Sequence, residues 1–120
     1  MIKDIAFTAY PAQDVRALRD WYVDALGLNF ARPWEENGNL MYDEAQVGSG
    51  YFSLMTLQYI QVPAGSASGI AFEVDDLEKT VADLRTKGNT VDDPYDTPVC
   101  RVASLKDLEG NKVTLHQSKV

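Results

Sequence analysis

The chain has 120 residues, 45% of them hydrophobic, with 11 basic against 18 acidic side chains and a net charge of -7. That length holds one domain with a core of its own. The acidic balance and the lack of any basic run exclude a nucleic-acid partner. No apolar run is long enough to span a membrane. The start, MIKDIAF, lacks the basic-then-apolar pattern of a signal peptide. A lone cysteine, Cys100, makes no intrachain disulfide. A cytoplasmic location is therefore expected.

In chain order, residues 3–9 read as a strand, with Ile5 and Phe7 on one face and Asp4, Ala6 and Thr8 on the other. Tyr10-Pro11 is expected to end it. Asp14 suits the cap of a helix whose stripe is Val15, Leu18, Trp21, Tyr22, Ala25 and Leu26, and Gly27 stops that helix. Leu28–Glu35 reads as a strand, Glu36-Asn37-Gly38-Asn39 as a hairpin turn, and Leu40–Val47 and Tyr51–Leu57 as two further strands. On the last, Phe52, Leu54 and Thr56 share one face and Tyr51, Ser53 and Met55 the other. Residues 58–67 form a linker.

The second half opens with a strand at 68–74, in which Ile70, Phe72 and Val74 oppose Gly69, Ala71 and Glu73. Asp75 or Asp76 caps a helix with the stripe Leu77, Val81 and Leu84, ended by Gly88. A short strand at Thr90–Asp92, a turn at 93–98, and strands at Val99–Leu105 and Lys112–Gln117 follow. Ile5-Ala6-Phe7 and Ile70-Ala71-Phe72 match as a repeat. The chain is thus read as a single α+β domain of two βαβββ modules, residues 1–60 and 66–120, forming a curled mixed sheet around a cleft. Alternation lines that cleft with Asp4, Ala6, Thr8, Gly69, Ala71, Glu73, Thr114 and His116, mostly small or polar, which leaves volume for a ligand. Arg101 and Ala103 are placed in the cleft and Cys100, Val102 and Ser104 toward the helix, although a slip of one residue exchanges the two sets.

The runs DIAFTAY, RDWYVDALGLNF (19–30), GIAFEVDDLEKTVADLRTKG (69–88) and DLEGNKVTLHQ (107–117) resemble the vicinal-oxygen-chelate superfamily. It includes glyoxalase I, extradiol dioxygenases, and fosfomycin- and bleomycin-resistance proteins. The resemblance covers nearly the whole chain. It implies a sheet closed around a metal, with ligands at the positions held here by Asp4, Gly69 and Thr114 and, in the glyoxalase type, at one near Ser53, Leu54, Met55 and Thr56. Of these, only Asp4 is a good ligand, and one carboxylate does not hold a divalent ion. No metal and no cofactor are therefore expected. The metal-free bleomycin-resistance members fit better, and they imply a homodimer that sequesters a small molecule.

The expected function is metal-independent small-molecule binding, with a glyoxalase-type lyase or isomerase as the alternative. Candidate ligand contacts are Asp4, Thr8, Trp34, Phe52, Met55, Glu73, Arg101, Thr114 and His116. Trp34 offers a stacking surface for a flat ligand. His116, the sole histidine, and Glu73 are the candidate acid/base pair. Each has a plain alternative: a surface histidine on a terminal strand, and a solvated rim carboxylate. Cys100 reads as a small buried hydrophobe or a nucleophile.

Overall fold

The computed structural model describes residues 1–120. The chain divides into two compact units, Met1–Ala67 and Ser68–Val120. The first contains β1 (Thr8–Ala12), α1 (Val15–Leu26), β2 (Trp34–Glu36), β3 (Asn39–Val47), β4 (Gly50–Thr56) and α2 (Leu57–Ile60). The second contains β5 (Ala71–Glu73), α3 (Leu77–Thr86), β6 (Tyr95–Asp96), β7 (Cys100–Lys106) and β8 (Lys112–Ser118). The expected βαβββ order thus recurs, with α2 an added turn where a linker was expected.

The expected curled sheet around a cleft is not formed. The strands make two open four-stranded sheets, ordered β1-β4-β3-β2 and β5-β8-β7-β6. Each has one parallel pair (β1 with β4, β5 with β8) and antiparallel pairs elsewhere. Closure requires long strands that pair on both sides. Here β2 has 3 residues and β6 has 2, and each pairs on one side only.

In the first unit, α1 starts where the Asp14 carboxylate accepts the Ala17 N–H at 3.0 Å, a cap that satisfies an otherwise orphaned donor. It stops at Gly27, whose φ of 69° is a left-handed value that glycine adopts without penalty. Val15, Leu18 and Tyr22, spaced to one helical face, are buried against the sheet. The sheet answers with Tyr10 and Ala12 of β1, Ala45 of β3, and Phe52 and Leu54 of β4. Phe52 is the hub, with ring centres 5.3 Å from Tyr10, 5.1 Å from Tyr22 and 6.5 Å from Phe30. In the second unit the Asp76 carboxylate caps α3 through the Lys79 N–H at 3.1 Å. Leu77, Val81 and Leu84 pack with Phe72, Ala103, Leu105, Val113 and Leu115.

Two strands and the repeat register differ from expectation for identifiable reasons. The first strand begins at Thr8 rather than Lys3 and continues through Tyr10-Pro11. A proline is tolerated there because β1 is an edge strand, so one side of it needs no ladder donor. The strand expected from Leu28 shrinks to Trp34–Glu36 plus an isolated bridge from Phe30 to Ala45, because Pro33 removes a donor between them. The repeat register also changes. The two helix caps, Asp14 and Asp76, are the corresponding residues, which aligns Ala9-Tyr10 with Ala71-Phe72. The matched Ile-Ala-Phe triplets lie three positions out of that register.

Candidate ligand site

Period-two alternation leaves each sheet with a face turned away from its helix. In the first unit that face carries Tyr42, Glu44 and Gln46 from β3 and Tyr51, Ser53 and Met55 from β4, since Tyr42 pairs with Met55, Glu44 with Ser53 and Gln46 with Tyr51. A depression of about 470 Å³ lies there, lined by residues including Arg32, Glu44, Gln46 and Tyr51. Glu44 is nearly buried, with 11% of its side chain exposed, and it accepts the Tyr42 hydroxyl at 2.7 Å. Arg32 reaches Glu44 Oε2 only at 3.7 Å, too far for a good hydrogen bond. Its guanidinium also sits 5.4 Å from the Tyr51 ring centre, within cation–π range.

Two features underpin this face. The Asp43 carboxylate, buried on the α1 side, accepts the Arg32 N–H at 3.1 Å and the Glu44 N–H at 2.9 Å. It faces Arg19 of α1 at 3.4 Å. The backbone that presents Arg32 is therefore anchored from below. Ser53 is fully buried and its Oγ has no hydrogen-bond partner, which is uncommon for a buried hydroxyl. Burial raises the Tyr42 hydroxyl pKa above its usual value. The nearby Ser53 side chain opposes that rise, and the bond to Glu44 adds to it.

In the second unit the open face aligns Glu73 with His116, His116 with Val102, Ala71 with Thr114, and Thr114 with Ser104. Glu73 Oε1 lies 2.5 Å from His116 Nδ1, and Glu73 Oε2 accepts the Ser118 N–H at 2.8 Å. The Ser118 N–H first, and His116 second, hold the Glu73 carboxyl below its usual range. Ser104 donates to Asp92 at 3.0 Å, and these two residues line a depression of about 400 Å³ with Thr90, Lys106 and Lys112.

The expected site residues therefore separate. Glu73, Thr114 and His116 share one face, as expected. Arg101 is on the opposite face, paired with Glu78 of α3 at 3.1 Å and Asp96 at 3.4 Å. Pairing of Ala103 with Leu115 and of Leu105 with Val113 places the apolar set of β7 under α3, so the two sets on that strand exchange faces. Phe52 is core, not lining, and Thr8, its pairing partner, lies on the helix side with it. Asp4 lies outside any strand, and its carboxylate accepts the adjacent Ile5 N–H at 2.7 Å. Met55 lies on the open face, and Trp34, opposite Tyr42, is 57% exposed at its outer edge. Cys100 is half-buried, 3.1 Å from Thr97 Oγ1. Sequence reasoning read Glu44 only as part of an acidic hairpin patch with Glu35, Glu36 and Asp43, and it missed Arg32, Gln46 and Tyr51 as contacts. Counting in twos back from Met55 along β4 reaches Tyr51, but pairing with β3 was needed to add the rest.

The positions where the resemblance implies metal ligands do not fit a metal. Gly69 has no side chain, Thr114 and Ser53 offer single hydroxyls, and Asp4 is turned to its own backbone. No group of three or more His, Cys, Asp or Glu side chains is placed to hold an ion. No helix is long and apolar enough to cross a membrane.

The sequence profile of the Glyoxalase/Bleomycin resistance protein/Dioxygenase superfamily matches residues 4–115. No curated protein sequence matches the chain. Among solved structures, the chain is similar to TnmS3, an antibiotic binding protein from Streptomyces sp. CB03234, with 25% identity, 98% of each chain covered and a TM-score of 0.82. A glyoxalase/bleomycin resistance protein from the same source is 26% identical, with 95% of this chain and 100% of that one covered and a TM-score of 0.77. The likeness to a lactoylglutathione lyase from Agrobacterium tumefaciens, at 18% identity over 98% of this chain and 95% of that one with a TM-score of 0.77, concerns the fold alone. The chain belongs to the Glyoxalase/Bleomycin resistance protein/Dioxygenase superfamily.

Proposed function

We propose that this chain is a metal-independent small-molecule-binding protein whose ligand seats on the open face of the first unit's sheet. The observation that carries this reading is the loose Arg32–Glu44 pair, 3.7 Å apart beside the Tyr51 ring, at a depression of about 470 Å³. A nearly buried carboxylate and a guanidinium that fail to close on each other offer an acceptor and a donor to one planar polar ligand. Tyr51 supplies a stacking surface, while Met55 and Trp34 extend the apolar part of the same face. The likeness to an antibiotic binding protein supports an antibiotic-type ligand. Isothermal titration with bleomycin and with polycyclic aromatic antibiotics tests this. Saturable binding that weakens at least about tenfold in Arg32→Ala and Tyr51→Ala is expected. Failure of every probe to bind saturably, or equal binding by both variants, overturns it.

A second reading, a lyase or isomerase, rests on the Glu73–His116 contact. With Nδ1 held by a carboxylate, the imidazole has Nε2 left to serve as a base. Proton exchange from a small dicarbonyl adduct that is lost in His116→Ala is the expected sign of that activity. The proposal also includes a homodimer in the cytoplasm. Exposed Ile2 and Ile5 and the short outer strands β2 and β6 are surfaces that a second copy would cover. Light scattering should return twice 13.3 kDa, and a monomeric mass at high concentration counts against pairing.

A further inference from the structure

Trp34 of β2 and Tyr59 of α2 are among the large side chains left in water, 57% and 42% exposed. They are nevertheless fixed. The Trp34 indole N–H donates to Glu36 Oε1 at 3.3 Å, and the Tyr59 hydroxyl donates to the same oxygen at 2.7 Å. Two rings from separate elements thus converge on one carboxylate. The hairpin tip that sets Glu36 is itself held by Asn37 and Gly38, with φ of 52° and 79°, left-handed values that form a tight turn. The neighbouring Glu35 is neutralised by Arg16 at 3.1 Å, whereas Glu36 enters no ion pair. Its donors are both neutral, and the residue is exposed. The two hydrogen bonds, Tyr59 first and Trp34 second, hold the Glu36 carboxyl below its usual range, so it carries full charge at neutral pH.

A carboxylate flanked by two aromatic rings, with no cation of its own, matches the requirements of one ligand class. Both rings are held by their polar edges and keep exposed aromatic surface beside the carboxylate, which supplies the counter-charge. A metal ion needs several oxygen ligands, and this cluster has one carboxylate to give. We propose that Trp34, Glu36 and Tyr59 form a binding site for an organic ammonium group. The site shares Trp34 with the ligand face above, but it does not depend on Arg32, Glu44 or Tyr51.

The test is a nuclear magnetic resonance titration of the Trp34 indole N–H with choline at constant ionic strength. The control is 3,3-dimethyl-1-butanol, which has the same shape without the charge. Choline should shift the Trp34 resonance saturably and leave that of Trp21 in place, while the neutral alcohol binds about tenfold more weakly. Glu36→Gln should weaken choline by a similar factor, and Tyr59→Leu should weaken it without unfolding the chain. Equal shifts by choline and the alcohol, a non-saturating response, or unchanged affinity in Glu36→Gln overturns the proposal, whatever the outcome with Arg32→Ala.

Discussion

Glu73 and His116 stand directly opposite one another in the parallel β5–β8 pair, and the Glu73 carboxylate spans His116 Nδ1 at 2.5 Å and the Ser118 N–H at 2.8 Å. The carboxylate is thus shared between a side chain and the backbone of the same strand. The backbone bond is the larger cause of its lowered pKa. His116→Ala should therefore raise the Glu73 pKa only part of the way back toward 4.5, as followed by the carboxyl carbon resonance. Full recovery would mean that His116, not Ser118, dominates.

The same shift sets the sign of a pH dependence. A carboxyl whose folded pKa lies below its unfolded value contributes stability that is present above the unfolded value, here 4.5, and lost as pH falls through the folded one. Wild type should exceed Glu73→Gln in urea stability at about pH 5.5, and the gap should narrow as the pH falls below 4.5. A gap that widens on acidification contradicts the shift.

Asp43 joins α1 to the strand that presents Arg32. Asp43→Ala removes an acceptor for two backbone donors and leaves Arg19 without its buried partner. The expected cost is about 2–3 kcal/mol in urea denaturation. Arg19 is itself 23% exposed, so Arg19→Ala should cost less, about 1 kcal/mol.

Ser53 predicts the opposite sign. Its buried hydroxyl has no partner, so Ser53→Ala should raise stability by about 1 kcal/mol, read as a higher melting temperature. If the open face is where the ligand binds, the same variant should bind the bleomycin-type probe no better than wild type. Lower stability in Ser53→Ala would show that the hydroxyl is satisfied in solution.

Gly27 ends α1 at φ 69°, with open space where a Cβ would go. Gly27→Ala should cost about 1 kcal/mol through backbone strain alone, without a packing defect. A loss well beyond that would point to a clash that the geometry does not contain.

The helices were legible because their signals are local. Asp14 and Gly27 bracket one stripe, and Asp76 and Gly88 the other, each within a single turn of the residues they cap. The faces of β4, β5 and β8 were legible for the same reason, since alternation needs no knowledge of partners. That is why Glu73, Thr114 and His116 come together as expected. Resemblance at the level of DIAFTAY and DLEGNKVTLHQ was enough to name the superfamily.

What the residues alone determined is therefore the module order, the capped helices, the family and the small or polar face of β5 and β8. What only tertiary structure decided is which strands pair and where pairing stops. Whether Pro11 sits inside β1 depends on β1 being an edge. Which way Arg101 points depends on β7 locking to β8 through Ala103 and Leu115. The Arg32–Glu44–Tyr51 arrangement requires three chain segments in register. Period-two patterns give the same alternation in either register, and the choice between them is made by burying one set of side chains under a helix, a contact between residues distant in the chain.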